Sequence, residues 1–285
     1  MKTKTFVLIG AAGYVAPKHF RAIKKNGGEL LAVIDPVENL DVLDEYFPEA
    51  EYFRSIKEAE NFIKNNRIDF CVICSPTHLH AEHIRFGLKS GCNVICESPL
   101  VLSPTEIEQI KLWESETGNK VFNLLQYRYD PAIRQLLQEF DNEKHYNIRF
   151  QNYSYRGKWL QHSWKGDDQK TGGLMTVLGY HFFDAFIWIF GEPFTLTKAE
   201  VSQNHCTGTL ELDHATVQFE LRNDKQQKEK KNILFLTVDG QTIELSEDDH
   251  FLFVNTYHEI LKDKGVRTRD LLSLVKLLNK TMISY

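Results

Sequence analysis

The stretch that decides the fold is TFVLIGAAGYVA, residues 5–16. Five apolar or β-branched residues lead to Gly10, and an amphipathic segment over residues 14–25 follows. A strand that turns at a glycine into a helix typically opens a dinucleotide-binding βαβ unit, where helix N–H groups face a pyrophosphate. The glycine pattern is incomplete here, because Ala12 and Val15 stand at its second and third glycine positions. On this motif alone, a ligand-free turn of an α/β sheet remains the alternative.

The next strand, ELLAVID, adds weight to the dinucleotide interpretation because it ends in Asp35. An acid at the end of the second strand binds the ribose hydroxyls of the adenosine half of a dinucleotide. Its negative charge would repel a 2′-phosphate. The sequence therefore favours NAD over NADP as the cofactor.

The rest of the first part alternates apolar strands with helix-length amphipathic segments. The strands are DFCVICSP, CNVICESP and KVFNLLQ, and the helices are ENLDVLDEYF, SIKEAENFIKNN, LHAEHIRFGLKSG and SPTEIEQIKLWESETG. Strands that are apolar on both faces and joined by helices predict a doubly wound parallel sheet. We predict an α/β Rossmann domain over residues 1–125.

From residue 126 onward the pattern changes to longer, alternating runs. These runs are YNIRFQNYSYRG, TLTKAEVSQNH, LELDHATVQFELR, NILFLTVDG and QTIELS. They predict a mostly antiparallel sheet, with a hairpin turn at Asp239–Gly240. TVLGYHFFDAFIWIFG is predicted to be a helix, and so is the tail from Thr256 to Ile283. An α+β domain is expected over residues 126–285, with the C-terminal helix packing back on the first domain.

Charge and hydropathy exclude several classes of function. The chain has 285 residues and a net charge of −5, so it offers no basic face for nucleic acid. The dense charge run at residues 222–231 mixes both signs and is interpreted as a solvated loop. The apolar part of the N-terminus breaks at Gly10, and we expect no membrane-spanning stretch elsewhere. These features predict a cytoplasmic protein without membrane insertion.

Cysteine and histidine spacings do not predict a metal site. Cys71 and Cys74 are three apart on a strand and point to opposite faces, so they cannot share one ion. The five cysteines are interpreted as buried, reduced thiols. The histidines of SPTHLHAEH, at positions 78, 80 and 83, could suggest zinc, but lining of a cofactor pocket or an ordinary helix start is favoured.

Five segments together resemble the glucose-fructose oxidoreductase/inositol dehydrogenase (Gfo/Idh/MocA) family. They are IGAAGYVAPKH, ICSPTHLHAEHI, GLKSGCNVICESPL, YRGKWLQHSWKGD and GYHFFDAFIWIFG. Within the family, the chain is most similar to the UDP-N-acetyl-glucosaminuronate 3-dehydrogenases of surface-polysaccharide biosynthesis, including lipopolysaccharide. The resemblance implies a Rossmann domain followed by an α+β domain with an open-faced, mostly antiparallel sheet.

The resemblance also implies reversible hydride transfer between NAD and a sugar carbon. The family's catalytic histidine corresponds to His181, with Asp184 three residues further on. The family's lysine, in a Glu-Lys-Pro motif, is replaced by Ser98, and its Asp or Asn four residues before the histidine is replaced by Val177. Serine carries no positive charge and valine cannot hydrogen-bond a sugar. Catalysis is therefore expected to be weakened, with His181 as the remaining base.

The remaining expectations concern ligands and partners. Cofactor contacts are expected from Gly10, Ala12, Gly13, Tyr14, Val15, Asp35, Ser75, Pro76, His80, Glu97 and Gln126. Contacts to a UDP-sugar acid are expected from Arg128, Arg156, Trp159, Ser163, Trp164, Lys165 and His181. For Arg156 and Lys165, an ordinary solvated surface charge remains the alternative. The resemblance implies a homo-oligomer formed through the second-domain sheet. The alternative to an enzyme is a non-catalytic partner or regulatory subunit, in a hetero-oligomer with an active homologue.

Overall fold

The computed structural model of the chain describes residues 3–38, 40–223 and 233–282. Its helices are α1 Ala16–Lys25, α2 Asp41–Tyr46, α3 Ile56–Asn65, α4 His80–Lys89, α5 Pro104–Thr117, α6 Pro131–Gln138, α7 Asp168–Thr171, α8 Gly173–Phe190, α9 Asp249–Leu261 and α10 Leu272–Met282. Its strands are β1 Thr5–Ile9, β2 Glu29–Ile34, β3 Glu51–Phe53, β4 Phe70–Ile73, β5 Asn93–Cys96, β6 Val121–Asn123, β7 Tyr146–Tyr153, β8 Pro193–Val201, β9 His205–Leu212, β10 Ala215–Arg222, β11 Ile233–Val238, β12 Gln241–Thr242 and β13 Val266–Arg267.

The chain divides into two compact units. Unit 1 comprises Met1–Val101, Thr105–Gln126 and Asp248–Asp270, and unit 2 comprises Leu102–Pro104, Tyr127–Glu247 and Leu271–Tyr285. Unit 1 is thus discontinuous in sequence, because its last segment follows the strands of unit 2 along the chain.

Unit 1 contains a seven-stranded sheet in the order β13-β6-β5-β4-β1-β2-β3. Its strand pairs are parallel except for β13 with β6. The apolar strands β1, β4 and β5 are almost completely buried, as expected for a sheet covered by helices on both faces. This confirms the predicted doubly wound parallel sheet.

Helix α9 packs against α1 on one face of this sheet. Phe253, Tyr257 and Ile260 of α9 are buried in the same hydrophobic cluster as Phe6 of β1 and Phe20 of α1. The segment after Asp248 therefore completes the core of unit 1.

Unit 2 contains a six-stranded sheet in the order β12-β11-β7-β10-β9-β8. Its strand pairs are antiparallel except for β7 with β10, which confirms a mostly antiparallel sheet. The turn after β11 has positive φ at Asp239 and Gly240, as predicted for a hairpin turn. Helix α8 lies against the buried face, and the Asn152 side chain of β7 donates to the Leu178 carbonyl oxygen at 2.8 Å.

Several predicted boundaries were wrong. Helix α1 begins at Ala16 rather than at residue 14, since residues 11–15 form the turn. The run LELDHATVQFELR belongs to two antiparallel strands, β9 and β10, which meet at Asp213–His214. The predicted strand QTIELS is ordered as a strand only over Gln241–Thr242.

The predicted helical tail was wrong in its middle. Two helices, α9 and α10, are separated by β13, which pairs antiparallel with β6 at the edge of the unit 1 sheet. Most of the charge run at residues 222–231 lies outside the described residues.

One segment of the described chain, Asp168–Phe190, is long and apolar enough to cross a membrane. The expectation that no such stretch exists was therefore wrong. However, 78% of its most apolar window is buried inside the fold, where α8 is the core helix of unit 2.

Candidate active-site residues and cofactor cradle

The carboxyl ends of β5, β4, β1 and β2 lie side by side at one edge of the unit 1 sheet. The chain runs outward in one direction from β1 through β2 to β3, and in the other from β4 through β5 to β6. The point between β1 and β4 is the topological switch point, where open α/β sheets bind their ligands. The loops that follow these strands are therefore the candidate cofactor cradle.

The turn after β1 requires its glycine. Gly10 has a φ of +93°, and a Cβ atom there would lie 2.6 Å from the backbone carbonyl carbon of Cys74. No side chain among the described residues caps α1, whose first turn follows this loop. Tyr14 of the loop is 80% exposed. The turn thus leaves the helix start open to a phosphate group, which fits a dinucleotide.

Asp35 is fixed in place at the end of β2. Its carboxylate accepts hydrogen bonds from the backbone N–H groups of Ala12, at 2.9 Å, and Val37, at 2.8 Å. Each bond uses a different oxygen, so lone pairs remain for two ribose hydroxyls. The carboxylate also ties the glycine turn to β2, which connects two parts of the predicted cofactor site.

The loop after β4 holds Ser75 and two histidines. The Ser75 hydroxyl lies 2.8 Å from Nδ1 of His83. Burial lowers the pKa of His83 to about 4, against the opposing charge of Glu82 and with a smaller contribution from His80. His80 is buried, with Nε2 2.9 Å from the Ser75 carbonyl oxygen and Nδ1 2.9 Å from that of Pro99. Burial lowers the pKa of His80 as well. His80 therefore joins the loop after β4 to the loop after β5.

The loop after β5 contains the replaced lysine position. The Ser98 hydroxyl donates to the Leu124 carbonyl oxygen at 2.7 Å, so its single hydrogen is used within the fold. The amide of Asn123, which no sequence motif indicated, donates to the carbonyl oxygens of Cys96 and Glu97 at 3.0 and 3.1 Å. These bonds fix the backbone on which any side chain at position 98 would stand.

The carboxylate of Glu97 is held by one distant residue, His19, and by the backbone of its neighbour Ser98. Its Oε1 lies 2.8 Å from His19 Nε2, and its Oε2 accepts from the Ser98 backbone N–H at 3.0 Å. The other ring nitrogen of His19 lies 2.6 Å from the Tyr257 hydroxyl of α9. His19 and Tyr257 are completely buried. Sequence reasoning missed both residues.

Gln126 ends unit 1 after β6. It is buried, and its side-chain carbonyl oxygen accepts no hydrogen bond from the described residues. A buried acceptor without a donor costs free energy unless a ligand or water supplies one. This observation fits the expected contribution of Gln126 to a ligand site.

In unit 2, Asp184 forms a buried ion pair with Arg128. The guanidinium donates from Nε and from Nη2 to the two carboxylate oxygens, both at 2.7 Å. The guanidinium also stacks 5.0 Å from the Trp188 ring centroid. Both residues were expected to contact substrate or take part in catalysis. The structure places them in contact with each other, an arrangement that positions α8.

His181 lies on α8, one turn after the exposed residue Val177. The ring of Tyr127 contacts the imidazole edge-on, with centroids 5.6 Å apart and planes at 76°. Residues four apart lie on the same face of a helix, so a polar side chain at position 177 would stand beside His181. Val177 is 49% exposed, which leaves an apolar surface at this point.

The segment 154–167 contains the remaining predicted substrate residues. The Lys165 ammonium lies 5.7 Å from the Trp164 ring centroid, and partial burial, followed by the charge of Arg156, lowers the pKa of Lys165. Ser163 accepts a hydrogen bond from the Lys165 backbone N–H at 3.3 Å, and Trp159 is exposed. Two neighbouring cations, with one exposed and one half-buried indole ring, suit an anionic ring-containing ligand.

The five cysteines are free and buried, as predicted. Burial raises the pKa of the thiols of Cys71, Cys74 and Cys96 well above the usual value. Within residues 3–38, 40–223 and 233–282, no three His, Cys, Asp or Glu side chains are grouped so that they could hold a metal ion.

Three features define a dinucleotide-binding protein with a second α/β domain: the parallel sheet with its switch point, the glycine turn, and the acid after β2. The chain belongs to the Gfo/Idh/MocA oxidoreductase family. The family's NAD-binding Rossmann fold matches residues 4–124, and its C-terminal alpha/beta domain matches residues 142–251. The predicted family, fold class and cofactor are thus confirmed.

Solved structures extend the similarity over nearly the whole chain. The WlbA (WbpB) dehydrogenase of Thermus thermophilus, solved with NAD and UDP-GlcNAcA, is 33% identical with a TM-score of 0.92, covering 98% of this chain and 94% of the other. WlbA of Bordetella pertussis, solved with NADH and UDP-GlcNAcA, is 17% identical with a TM-score of 0.83, covering 100% and 96%. At 17% identity, the similarity to the Bordetella pertussis protein shows only that the fold is shared.

Among curated relatives, the chain is 26% identical to the scyllo-inositol 2-dehydrogenase (NADP(+)) IolW of Bacillus subtilis. It is 24% identical to the D-glucoside 3-dehydrogenase of Escherichia coli. The matches cover 63% and 66% of this chain, and the chain spans about half the length of both relatives, 54% in each case.

Proposed function

We propose that the protein binds NAD and an acidic UDP-sugar of the UDP-N-acetylhexosaminuronate class, in surface-polysaccharide biosynthesis in the cytoplasm. We also propose that its hydride transfer is slow. The observation that supports the ligand is the 33% identity, over 98% of the chain, to a dehydrogenase solved with NAD and UDP-GlcNAcA. The observation that supports slow catalysis is Ser98, whose hydroxyl is bonded to the Leu124 carbonyl oxygen.

NAD, when bound, supplies the hydride acceptor, and the protein must then remove a proton from the sugar hydroxyl. His181 is the proposed base, with an imidazole oriented by the edge-on ring of Tyr127. A base that acts alone lacks the neighbouring ammonium that would lower the pKa of the hydroxyl. Ser98 and Val177 supply no charge, so we expect the acid–base contribution to be largely lost.

Asp184 is proposed to act as a positioning residue rather than as a base. Its carboxylate is nearly completely buried, and both oxygens accept hydrogen bonds from the Arg128 guanidinium. The pair secures α8 three residues beyond His181, which is almost one helical turn. Arg128 is proposed to support ligand binding through the same ion pair, because the pair fixes α8 near His181.

The acidic group of the ligand is proposed to contact Arg156 and Lys165. Their mutual repulsion disfavours the protonated form of Lys165 and adds to the effect of burial in lowering the pKa of that residue. An anion between the two side chains would remove this penalty. A carboxylate or phosphate is therefore preferred over a neutral sugar, with Trp159, Ser163 and Trp164 in the same segment.

A non-catalytic partner or regulatory subunit is the second candidate function. The two replaced positions favour it, because both lie where the family's chemistry requires polar side chains. In that case the cofactor cradle would serve binding alone. The distinction is between a protein that turns over slowly and one that binds both ligands without turnover.

The test compares the binding of an acidic and a neutral sugar nucleotide to the same preparation. Titration calorimetry with UDP-GlcNAcA and with UDP-GlcNAc, each in the presence of NAD, should show tighter binding of the acid. Lys165→Ala should lose about 10- to 150-fold in affinity for the acid, the usual value of one charge-assisted contact. Lys170→Ala is the matched control, since this lysine pairs with Asp167. Equal affinities for acid and neutral sugars would contradict the proposal.

Assembly through the six-stranded sheet is also proposed. Strand β7 buries Tyr146, Ile148 and Phe150 on its core face and directs Asn147 and Arg149 to the other, exposed face. That open face supports a homo-oligomer, with a hetero-oligomer containing an active homologue as the alternative. Light scattering on the purified protein tests the first, since a monomer at all concentrations would contradict it.

A further inference from the structure

A chain of hydrogen bonds, Tyr257–His19–Glu97, connects the last segment of unit 1 to the loop after β5. The hydroxyl lies 2.6 Å from Nδ1 of the imidazole, and Nε2 lies 2.8 Å from the carboxylate. Three elements contribute one residue each: α9, α1 and the end of β5. Glu97 and Tyr257 are 78 and 238 positions from His19 in sequence, so the fold brings the three together at long range.

The direction of the hydrogen bonds follows from the chemistry of the groups. A carboxylate can only accept, so His19 donates to Glu97 from Nε2. In the neutral imidazole Nδ1 is then an acceptor, and the Tyr257 hydroxyl donates to it. Burial raises the pKa of Tyr257 well above its usual value, so the hydroxyl keeps its hydrogen. Both hydrogen bonds are therefore directed toward Glu97.

Both carboxylate oxygens of Glu97 are fixed. His19 holds Oε1, and the Ser98 backbone N–H holds Oε2 at 3.0 Å. Burying the polar groups of His19 and Tyr257 where Phe253 and other apolar residues pack costs stability unless each is bonded. If packing were the only requirement, apolar side chains at these positions would serve equally well. The arrangement therefore indicates that a charge at a fixed position is needed.

We propose that His19 and Tyr257 are positioning residues that hold the Glu97 charge so that unit 1 binds oxidised NAD in preference to NADH. Glu97 follows β5, at the sheet edge where such folds bind their ligands. The oxidised nicotinamide ring carries a positive charge that the reduced ring lacks. A fixed negative charge at this edge lowers the free energy of the oxidised form selectively. The inference rests on NAD binding by unit 1 and not on the proposed sugar ligand.

The test compares dissociation constants for NAD and NADH, by calorimetry and NADH fluorescence, in the full chain. Glu97→Gln keeps the shape and removes the charge, and it should shift the ratio of the two constants toward NADH by about tenfold, the effect of one neighbouring charge in a partly solvated site. Tyr257→Phe removes only the hydroxyl and should shift the ratio in the same direction by about two- to threefold, since it weakens one bond of the chain and leaves the charge. Glu97→Asp keeps the charge but shortens its reach to His19, and it should give an intermediate ratio.

Thr256→Val is the matched control. Thr256 is a buried hydroxyl next to Tyr257 on α9, but it donates to the Leu252 carbonyl oxygen of its own helix at 2.8 Å. The ratio of the NAD and NADH dissociation constants in Thr256→Val should equal that of the parent. A merely structural role would weaken both cofactor forms alike, so an unchanged ratio in Glu97→Gln and Tyr257→Phe would overturn the inference. Failure of the parent to bind either form would overturn NAD binding itself together with this inference.

Discussion

Restoring the two lost polar positions should restore turnover. In Ser98→Lys with Val177→Asn, an ammonium would stand on the loop after β5 and an amide would stand one helical turn before His181. The ammonium lowers the pKa of the sugar hydroxyl, and the amide can hydrogen-bond the sugar. Acid–base groups contribute about 10²- to 10⁴-fold to a rate, so we expect NADH formation on UDP-GlcNAcA to rise at least about a hundredfold over the parent.

The double variant should stay folded, because the two substitutions disturb little of the native structure. Removing the Ser98 hydroxyl breaks its 2.7 Å hydrogen bond to Leu124, which costs about 1 kcal/mol. Val177 is 49% exposed on a helix, so asparagine there costs only a few tenths of a kcal/mol in helix propensity. The sum, about 1–2 kcal/mol, is below the roughly 5–15 kcal/mol that stabilises a typical domain.

The assay follows NADH absorbance with excess NAD and UDP-GlcNAcA, and thermal melting verifies folding. Ser98→Met is the matched control, since it adds side-chain length without charge and should stay as slow as the parent. A parent that already turns over at several per second would refute the prediction, because His181 then suffices. A double variant that binds both ligands and stays inert would favour the partner or regulatory subunit instead.

Three further outcomes are expected. Gly10→Ala should lower the free energy of unfolding by more than about 2 kcal/mol and abolish NAD binding. Gly118→Ala is the control, because Gly118 also has a positive φ (+72°) but open space where a Cβ would lie. Thermal melting should show a loss of about 1–2 kcal/mol for it. Arg128→Met should cost about 3–5 kcal/mol in urea unfolding because the Asp184 charge remains buried, and adding Asp184→Leu should recover part of it. The folded-state pKa of His83, about 4, lies below the unfolded value of 6.5, so the unfolded state binds the proton first as the pH falls. The contribution of neutral His83 to the free energy of unfolding is therefore complete above pH 6.5 and decreases as the pH drops toward 4. In urea unfolding, the loss of stability between pH 7 and pH 4 should be about 2 kcal/mol smaller in His83→Gln than in the parent. An unchanged dependence of stability on pH would contradict this prediction.

The sequence predicted the parts of the fold that have a local signal. The strand–glycine–helix pattern and the acid at Asp35 indicated the candidate cofactor cradle, and the amphipathic segment SPTEIEQIKLWESETG predicted helix α5. Strand β13 was missed, because two residues cannot show a strand period and their pairing with β6 is decided by tertiary contact.

The candidate site was predicted only where a motif or the family resemblance named a position. The buried chain through His19 and Tyr257 had no such signal, because its members are far apart in sequence. The ion pair of Arg128 and Asp184 was missed for the same reason, although both residues had been singled out separately. Pairing between distant side chains depends on how elements pack, and no spacing along the chain reveals it.

The discontinuity of unit 1 sets an order of events during biosynthesis. Residues 1–126 leave the ribosome without α9, which later covers Phe6 and Phe20 with Phe253 and Tyr257. At about 5–20 residues per second, the 135 residues from 126 to the end of α9 at Leu261 take roughly 7–27 seconds to be synthesised. During this interval the apolar surface of the nascent N-terminal half is available to chaperones, and a gene fragment that ends at residue 126 should yield an aggregating product instead of a free-standing nucleotide-binding module.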